Sequence, residues 1–246
     1  MRRLILAAAA IALAACGDRA PEPPVKEAPS ESVSAKPKRS VPRPAPWTAP
    51  KVARLYGHFP YAEAARETLR AGVCSGGGER QYLNADAAEA LARMRAAAEA
   101  EGVTLNPSSC FRSHASQERL FTCVDAPHGA GCADGQLISA EVRATAVAPN
   151  SYSEHHTGYA IDFFPSAGDI DPATCPKANA CTLTTAFAKA RSGQWLAAHA
   201  GAYGFEMSFW QGSPQGVSYE PWHYRFVGAP DALSVFGDAR TEFPPP

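Results

Sequence analysis

The run Ser153-Glu154-His155-His156-Thr157-Gly158-Tyr159-Ala160-Ile161-Asp162 combines metal-ligand residue types with small residues at alternate positions. In an extended segment side chains alternate faces, so Gly158, Ala160 and Asp162 share one face while Tyr159, Ile161 and Phe163 share the other. That leaves room beside Asp162. His155, arriving from a turn just upstream, is expected to meet the Asp162 carboxylate at one metal ion, and a nitrogen-oxygen donor pair suits zinc. The third ligand must come from elsewhere. His223, in Glu220-Pro221-Trp222-His223-Tyr224-Arg225, is the other histidine close to an acid among strand-like residues. Three protein ligands on zinc leave a position for water, whose pKa falls to about 7. Glu220, three positions before a ligand and walled by Trp222 and Tyr224, would take that water's proton and hand it to a leaving amine. The chemistry within reach of this set is hydrolysis of an unactivated amide.

Several elements must position these residues. Asn84 is a good N-cap for a helix over residues 85 to about 100, with Ala87, Leu91, Met94 and Ala98 on one face and Gly102 as its stop. Residues 62–70 carry a short helical pattern, 103–105 read as a strand, and Ser113 caps a helix from His114 to about residue 123. Residues 125–150 read as a disulfide-pinned loop followed by a short helix near 138–144. Ser192 is placed as the cap of a helix carrying Trp195, Leu196 and His199. Residues 206–210 and 217–227 then form strands of a hairpin across 211–216, and 229–246 read as a loose tail.

The motifs resemble those of the VanY-type zinc D-alanyl-D-alanine carboxypeptidases, in the wider group shared with VanX dipeptidases and hedgehog-type domains. S-x-H-x-x-G-x-A-x-D stands at 153–162 and E-P-W-H-x-R at 220–225. S-G-[FY]-R-S-x-x-x-Q stands as Ser109-Cys110-Phe111-Arg112-Ser113-His114-Ala115-Ser116-Gln117, and Gly57-His58-Phe59-Pro60-Tyr61 resembles a segment ahead of the domain in many relatives. The resemblance covers residues 55–228 and implies an α+β domain in which a small antiparallel sheet carries the zinc site and helices pack on its other side. It implies zinc on His155, Asp162 and His223, with Glu220 as general base and acid. Arg112 would bind the carbonyl oxygen or stabilise the oxyanion, and Ser153 and Gln117 would help hold the substrate. The implied substrate is a peptidoglycan stem peptide losing its terminal D-alanine. An L,D-carboxypeptidase or endopeptidase on the same peptides and cross-links, or a non-catalytic zinc-stabilised wall-binding module, are the alternatives. His156 is expected behind the site or toward solvent, and His58, His114, His128 and His199 in structural roles. Cys110 departs from the family, where glycine is common at that position.

With 246 residues, 46% hydrophobic and 19% charged, the chain suffices for one sizeable domain plus appendages. The net charge of -1, or -3 without Arg2 and Arg3, gives no support to nucleic-acid binding, and no protein partner is evident. Residues 1–15 have a basic start and a short apolar run ending in Leu13-Ala14-Ala15 before Cys16. They resemble a bacterial lipoprotein signal, too short to span a bilayer. Cys16 is then the lipidated residue and 16–54 a Pro-rich tether that cannot bury enough surface to fold. The expected location is a bacterial membrane facing the periplasm, with Gly17 compatible with outer-membrane sorting. An even set of six further cysteines in an oxidising compartment implies disulfides. Cys123 with Cys132, and Cys175 with Cys181, each bracket a loop, which leaves Cys74 with Cys110. The absence of any CxxC spacing speaks against a cysteine metal site.

Overall fold

The computed structural model describes residues 54–166, 168–171 and 182–246. The leader, Cys16 and nearly all of the tether lie outside these residues. Two of the three expected disulfides are present, Cys74–Cys110 and Cys123–Cys132. The third, expected between Cys175 and Cys181, lies outside the described residues, because neither Cys175 nor Cys181 is among them.

In chain order the strands are β1 (Leu69–Arg70), β2 (Leu83–Asn84), β3 (Asn106–Ser109), β4 (Cys132–Ala133), β5 (Gln136–Leu137), β6 (Ala160–Phe164), β7 (Phe205–Met207) and β8 (His223–Phe226). The helices are α1 (Ala85–Ala100), α2 (His114–Phe121), α3 (Ala140–Ala144), α4 (Arg191–His199), α5 (Pro230–Val235) and α6 (Gly237–Glu242). The architecture is α+β, built on a four-stranded sheet in the order β3-β6-β8-β7 with every neighbour antiparallel. No helix among the described residues is long and apolar enough to cross a membrane.

The sheet sorts its residues by period two. Ile161, Phe163, Tyr224, Phe226 and Phe205 are buried in the core together with Leu91 and Met94 of α1 and Trp195 and Leu196 of α4. The alternate positions carry Asp162, His223 and Arg225. Register brings these together: Asp162 stands opposite both Ser109 on β3 and His223 on β8, and Arg225 stands opposite Glu206 on β7. Directly opposed residues of an antiparallel pair have Cβ atoms about 5 Å apart, so pairing alone brings Asp162 and His223 within ligand reach of one another.

Helix α1 follows its sequence. Asn84 accepts a hydrogen bond from the Asp86 amide at 3.0 Å, the expected face is buried, and Gly102 at φ 71° ends the helix. Ser113 and Ser139 likewise cap α2 and α3.

Other expectations are corrected. Residues 62–70 form one 3-10 turn, Arg66–Thr68, and then β1. The backbone amides of Tyr61 and Ala64 donate to Ser151 and His156 carbonyls at 2.8 and 2.7 Å, which holds this segment against the loop before β6 rather than in a helix. The strand expected at 103–105 lies at 106–109 instead. Val103 and Leu105 are core residues in irregular backbone, while Pro107, which has no N–H to donate, sits on the edge strand. Helix α4 starts one residue before Ser192, whose amide donates to Asp169 Oδ1 at 2.9 Å, so the cap comes from a distant loop. The hairpin strands are shorter than expected, Phe205–Met207 and His223–Phe226, and the buried Ser208 and Phe209 lie just past the first of them.

The largest correction concerns 229–246, which forms α5 and α6 rather than a loose tail. Pro230 opens α5 at a position where its missing N–H costs nothing. Phe236 packs against Tyr61 and Tyr159, and Phe243 against Phe59. Burying each phenylalanine is worth about 1.5–3 kcal/mol, enough to draw a short segment onto the core.

Candidate active site

His155 lies in a 3-10 turn, Glu154–Thr157, whose start is capped by the Ser153 hydroxyl. Gly158 then adopts φ 69°, and a Cβ there would come within 2.5 Å of the Leu69 side chain, so this turn into β6 requires glycine. His155 Nε2 approaches Asp162 Oδ2 at 3.2 Å, and His223 Nδ1 approaches Asp162 Oδ1 at 3.0 Å. One ligand atom from each of His155, Asp162 and His223 lies within 4.8 Å of the others, and all three residues are buried. This is the only such group among the described residues.

The ring nitrogens that do not face Asp162 are already committed. His155 Nδ1 lies 2.5 Å from the Cys110 carbonyl oxygen. A carbonyl only accepts, so Nδ1 carries the proton and Nε2 keeps its lone pair. The Cys74–Cys110 disulfide ties that carbonyl's residue to the loop before β2, and Cys123–Cys132 closes the loop leading into β4. His223 Nε2 donates to Glu154 Oε2 at 3.0 Å. Glu154 in turn accepts from the Ser208 hydroxyl at 2.5 Å and from Arg225 at 2.8 Å, Arg225 donates to Glu206 at 2.8 Å, and Arg240 of α6 donates to Glu206 at 3.0 Å. Such partners fix the tautomer and tilt of a metal-binding imidazole. Two imidazoles and a carboxylate therefore fit a zinc ion by donor type and proximity, with the lone pair of His155 Nε2 already turned toward the site.

The electrostatics differ across the cluster. Burial lowers the pKa of His155, which keeps it neutral. Burial also pulls His223 down, but its hydrogen bonds to Asp162 and Glu154 outweigh this and push it up to about 10. Asp162 is held far below the usual carboxylate range because His155 and His223 overcome the cost of burial. Glu154 is brought down to about 2, its burial outweighed by Arg225, His223 and Ser208. Glu220, half-buried in the same cleft, moves up to about 8 through desolvation, with Asp162 and Glu154 adding to the effect and His223 and Arg112 opposing it.

Arg112, Ser153, His155, Asp162, Glu220 and His223 line one cavity of about 320 Å³. Arg112 donates to Gln117 Oε1 at 2.9 Å and lies 3.9 Å from Asp162 Oδ2. Gln117 is not among the residues that line this cavity: it is fully buried, accepts from Arg112 and donates to the Ala148 carbonyl at 2.6 Å, so it braces Arg112. His156 does not face solvent. It is fully buried, neutral with a pKa lowered by desolvation to about 3, and donates from Nδ1 to the Arg112 carbonyl at 2.7 Å.

Sequence reasoning missed Glu154 and Arg225. A signal for Arg225 was present, since it follows His223 by two residues on a strand and must share its face. Glu154, one residue before a ligand, carried no comparable sign, because its value lies in reaching Ser208, His223 and Arg225, all distant in the chain.

The VanY family, described as D-alanyl-D-alanine carboxypeptidase, matches residues 80–229. The YodJ protein of Bacillus subtilis (strain 168) is 30% identical over 154 residues, which are 61% of this chain and 48% of that protein. A D-alanyl-D-alanine carboxypeptidase of Enterococcus faecium is 30% identical over 96 residues, 38% of this chain and 26% of that one. The chain thus spans less than half the length of these curated relatives. Among solved structures, the LdcB LD-carboxypeptidase is similar with a TM-score of 0.52 and 29% identity over 70% of this chain and 72% of that one.

Proposed function

The chain belongs to the VanY family of D-alanyl-D-alanine carboxypeptidases, and on that premise we propose that it is a zinc carboxypeptidase that removes the terminal D-alanine from peptidoglycan stem peptides. The observation that carries this reading is the set of three buried ligand atoms, pre-oriented by Cys110 and Glu154, beside a carboxyl group whose pKa is raised to about 8.

His155 Nε2, Asp162 and His223 Nδ1 would hold the ion. A zinc ion there would supply a Lewis acid for the scissile carbonyl and lower the pKa of the attacking water. Glu220 takes the proton of that water as it attacks the carbonyl carbon, and returns it to the nitrogen of the departing residue. A carboxyl group with affinity for protons near neutral pH is suited to both transfers. Arg112, braced by Gln117, offers its guanidinium to the negative charge developing on the carbonyl oxygen. Ser153 lines the cavity while its oxygen accepts from the His155 amide, so it fixes the turn that aims His155.

Glu220→Ala is expected to retain zinc and lose turnover by about 100-fold or more. Unchanged hydrolysis in that variant would remove this mechanism. Similarity to the LdcB LD-carboxypeptidase favours one second reading, cleavage of the L,D bond of a tetrapeptide. Digestion of defined penta- and tetrapeptide muropeptides, with and without a chelator, separates the two by product. The sequence around Cys16 supports a lipid-anchored, periplasm-facing enzyme, and two disulfides suit an oxidising compartment. Replacing Cys16 by Ser and following the protein from membrane to soluble fraction tests the anchor.

A further inference from the structure

A groove of about 810 Å³ opens beside the cavity and shares Arg112 and Asp162 with it. Its charged lining is Glu79, Arg80, Arg112, Asp125 and Asp162, and all but one of these are committed. Glu79 accepts from the Ser113 amide at 3.0 Å, and Asp125 accepts from Arg119 at 3.1 Å. Arg112 donates to Gln117 at 2.9 Å, and Asp162 faces the two histidines. The guanidinium of Arg80 has no hydrogen bond or ion pair among the described residues.

Arg80 is nonetheless held in place. Its backbone carbonyl accepts from the Cys110 amide at 3.0 Å, and the Cys74–Cys110 disulfide closes the same loop. Its side chain lies against Gly76, where a Cβ would come within 2.8 Å of Arg80 Cβ and 3.5 Å of its Nε. The bare glycine leaves the arginine room to lie along the groove. Two residues past Cys110 stands Arg112, whose pKa is lowered first by burial and further by the charge of Arg80, with Asp162, Glu220 and Glu79 opposing. The groove thus holds two cations in electrostatic reach of each other, one of them unmatched. An anion lying along it relieves their repulsion and meets a free planar donor fork.

Resting on the carboxypeptidase reading above, we propose that Arg80 selects stem peptides that carry a free carboxylate upstream of the scissile bond. The bond to be cut lies at the metal ligands, and the chain preceding it runs along the groove past Arg80. A stem peptide offers two carboxylates of this kind: the α-carboxylate of a γ-linked D-glutamate at its second residue, and the side-chain carboxylate of a diaminopimelate at its third. Amidation removes the charge of either. Arg80 would therefore make turnover depend on the amidation state of the wall.

The test uses pentapeptides ending in D-alanyl-D-alanine in which both carboxylates are free, the second residue is amidated, the third is amidated, or both are. Hydrolysis is followed with the zinc-loaded full chain, and binding with its zinc-loaded Glu220→Ala form. Amidating the carboxylate that meets Arg80 is expected to lower kcat/KM by about 5- to 10-fold, through KM and Kd rather than kcat, and the difference should shrink as salt rises. Which amide produces the loss identifies the residue that is read. Arg80 is exposed, so its variants are expected to fold. Arg80→Gln should bring the ratio of acid to amide close to one, Arg80→Lys should keep part of the preference, and Arg80→Glu should reverse it. Wild type that treats every form alike overturns the proposal. So does an Arg80→Gln variant that weakens every form by the same factor or keeps the wild-type preference. Arg80-dependent preference for the acid in binding, with no form hydrolysed, leaves Arg80 in this role and overturns the catalytic reading instead.

Discussion

His155 and His223 face the same carboxylate, yet they are held in opposite ways. His155 hangs from a neutral backbone carbonyl in a loop tied by a disulfide. His223 hangs from a carboxylate at the head of an ionic chain through Arg225 and Glu206 to Arg240. The first arrangement is covalent and uncharged, and burial leaves the ring neutral. The second is ionic, and the ring holds its proton up to about pH 10. Behind the ring, one arm of the site thus rests on a neutral carbonyl and the other on a charged chain.

The contrast breaks most sharply at Glu154. Glu154→Ala removes the acceptor of His223 and leaves Arg225 buried without one of its two anions, which is expected to cost about 3–5 kcal/mol of stability. Zinc affinity should fall by about 10- to 100-fold. Thermal unfolding and chelator competition read the two effects, and a variant that binds zinc like wild type would remove Glu154 from the site's support.

On the other arm, Cys74→Ser with Cys110→Ser is expected to cost about 2–4 kcal/mol in denaturant unfolding. The carbonyl that orients His155 survives this change, so zinc affinity should fall less than in Glu154→Ala. The reverse ranking would overturn the comparison.

A third expectation concerns pH. The metal-free pKa of His223 is raised, so at every pH below about 10 a proton must leave before the ring can bind an ion. Affinity should therefore rise with pH from 6 to 9, by up to about tenfold per unit. Glu154→Gln, which removes one of the charges that hold the proton, should flatten that slope. The smallest effect belongs to Arg240→Ala. Its partly exposed ion pair with Glu206 is worth about 0.2–1 kcal/mol, and zinc affinity should barely change.

What the sequence made legible is what period two and local spacing control. Asp162 and His223 could be placed on strands, and His155 in the turn before one of them, because each stands in a short run with its own alternation. The α1 helix was legible because its cap, apolar face and stop all lie within the segment. What escaped depends on partners far along the chain. Asp169 caps α4 across 23 residues, and Glu154 meets Arg225 across 71. The segment 229–246 read as loose because its buried apolar residues, Ala232, Phe236, Ala239 and Phe243, have worth only against a core built by other segments.

The last member of the ionic chain sits on α6, downstream of every candidate ligand. A polypeptide cut before Gly237 would carry His155, Asp162, His223 and Glu220 intact, yet lack the cation that neutralises Glu206 from its far side. The core would also lose Phe243. Because the Arg240 pair alone is worth little, such a truncation would act through the lost core contact: the product would keep its donor set yet melt at a lower temperature, and thermal unfolding would report whether folding has reached the end of the domain.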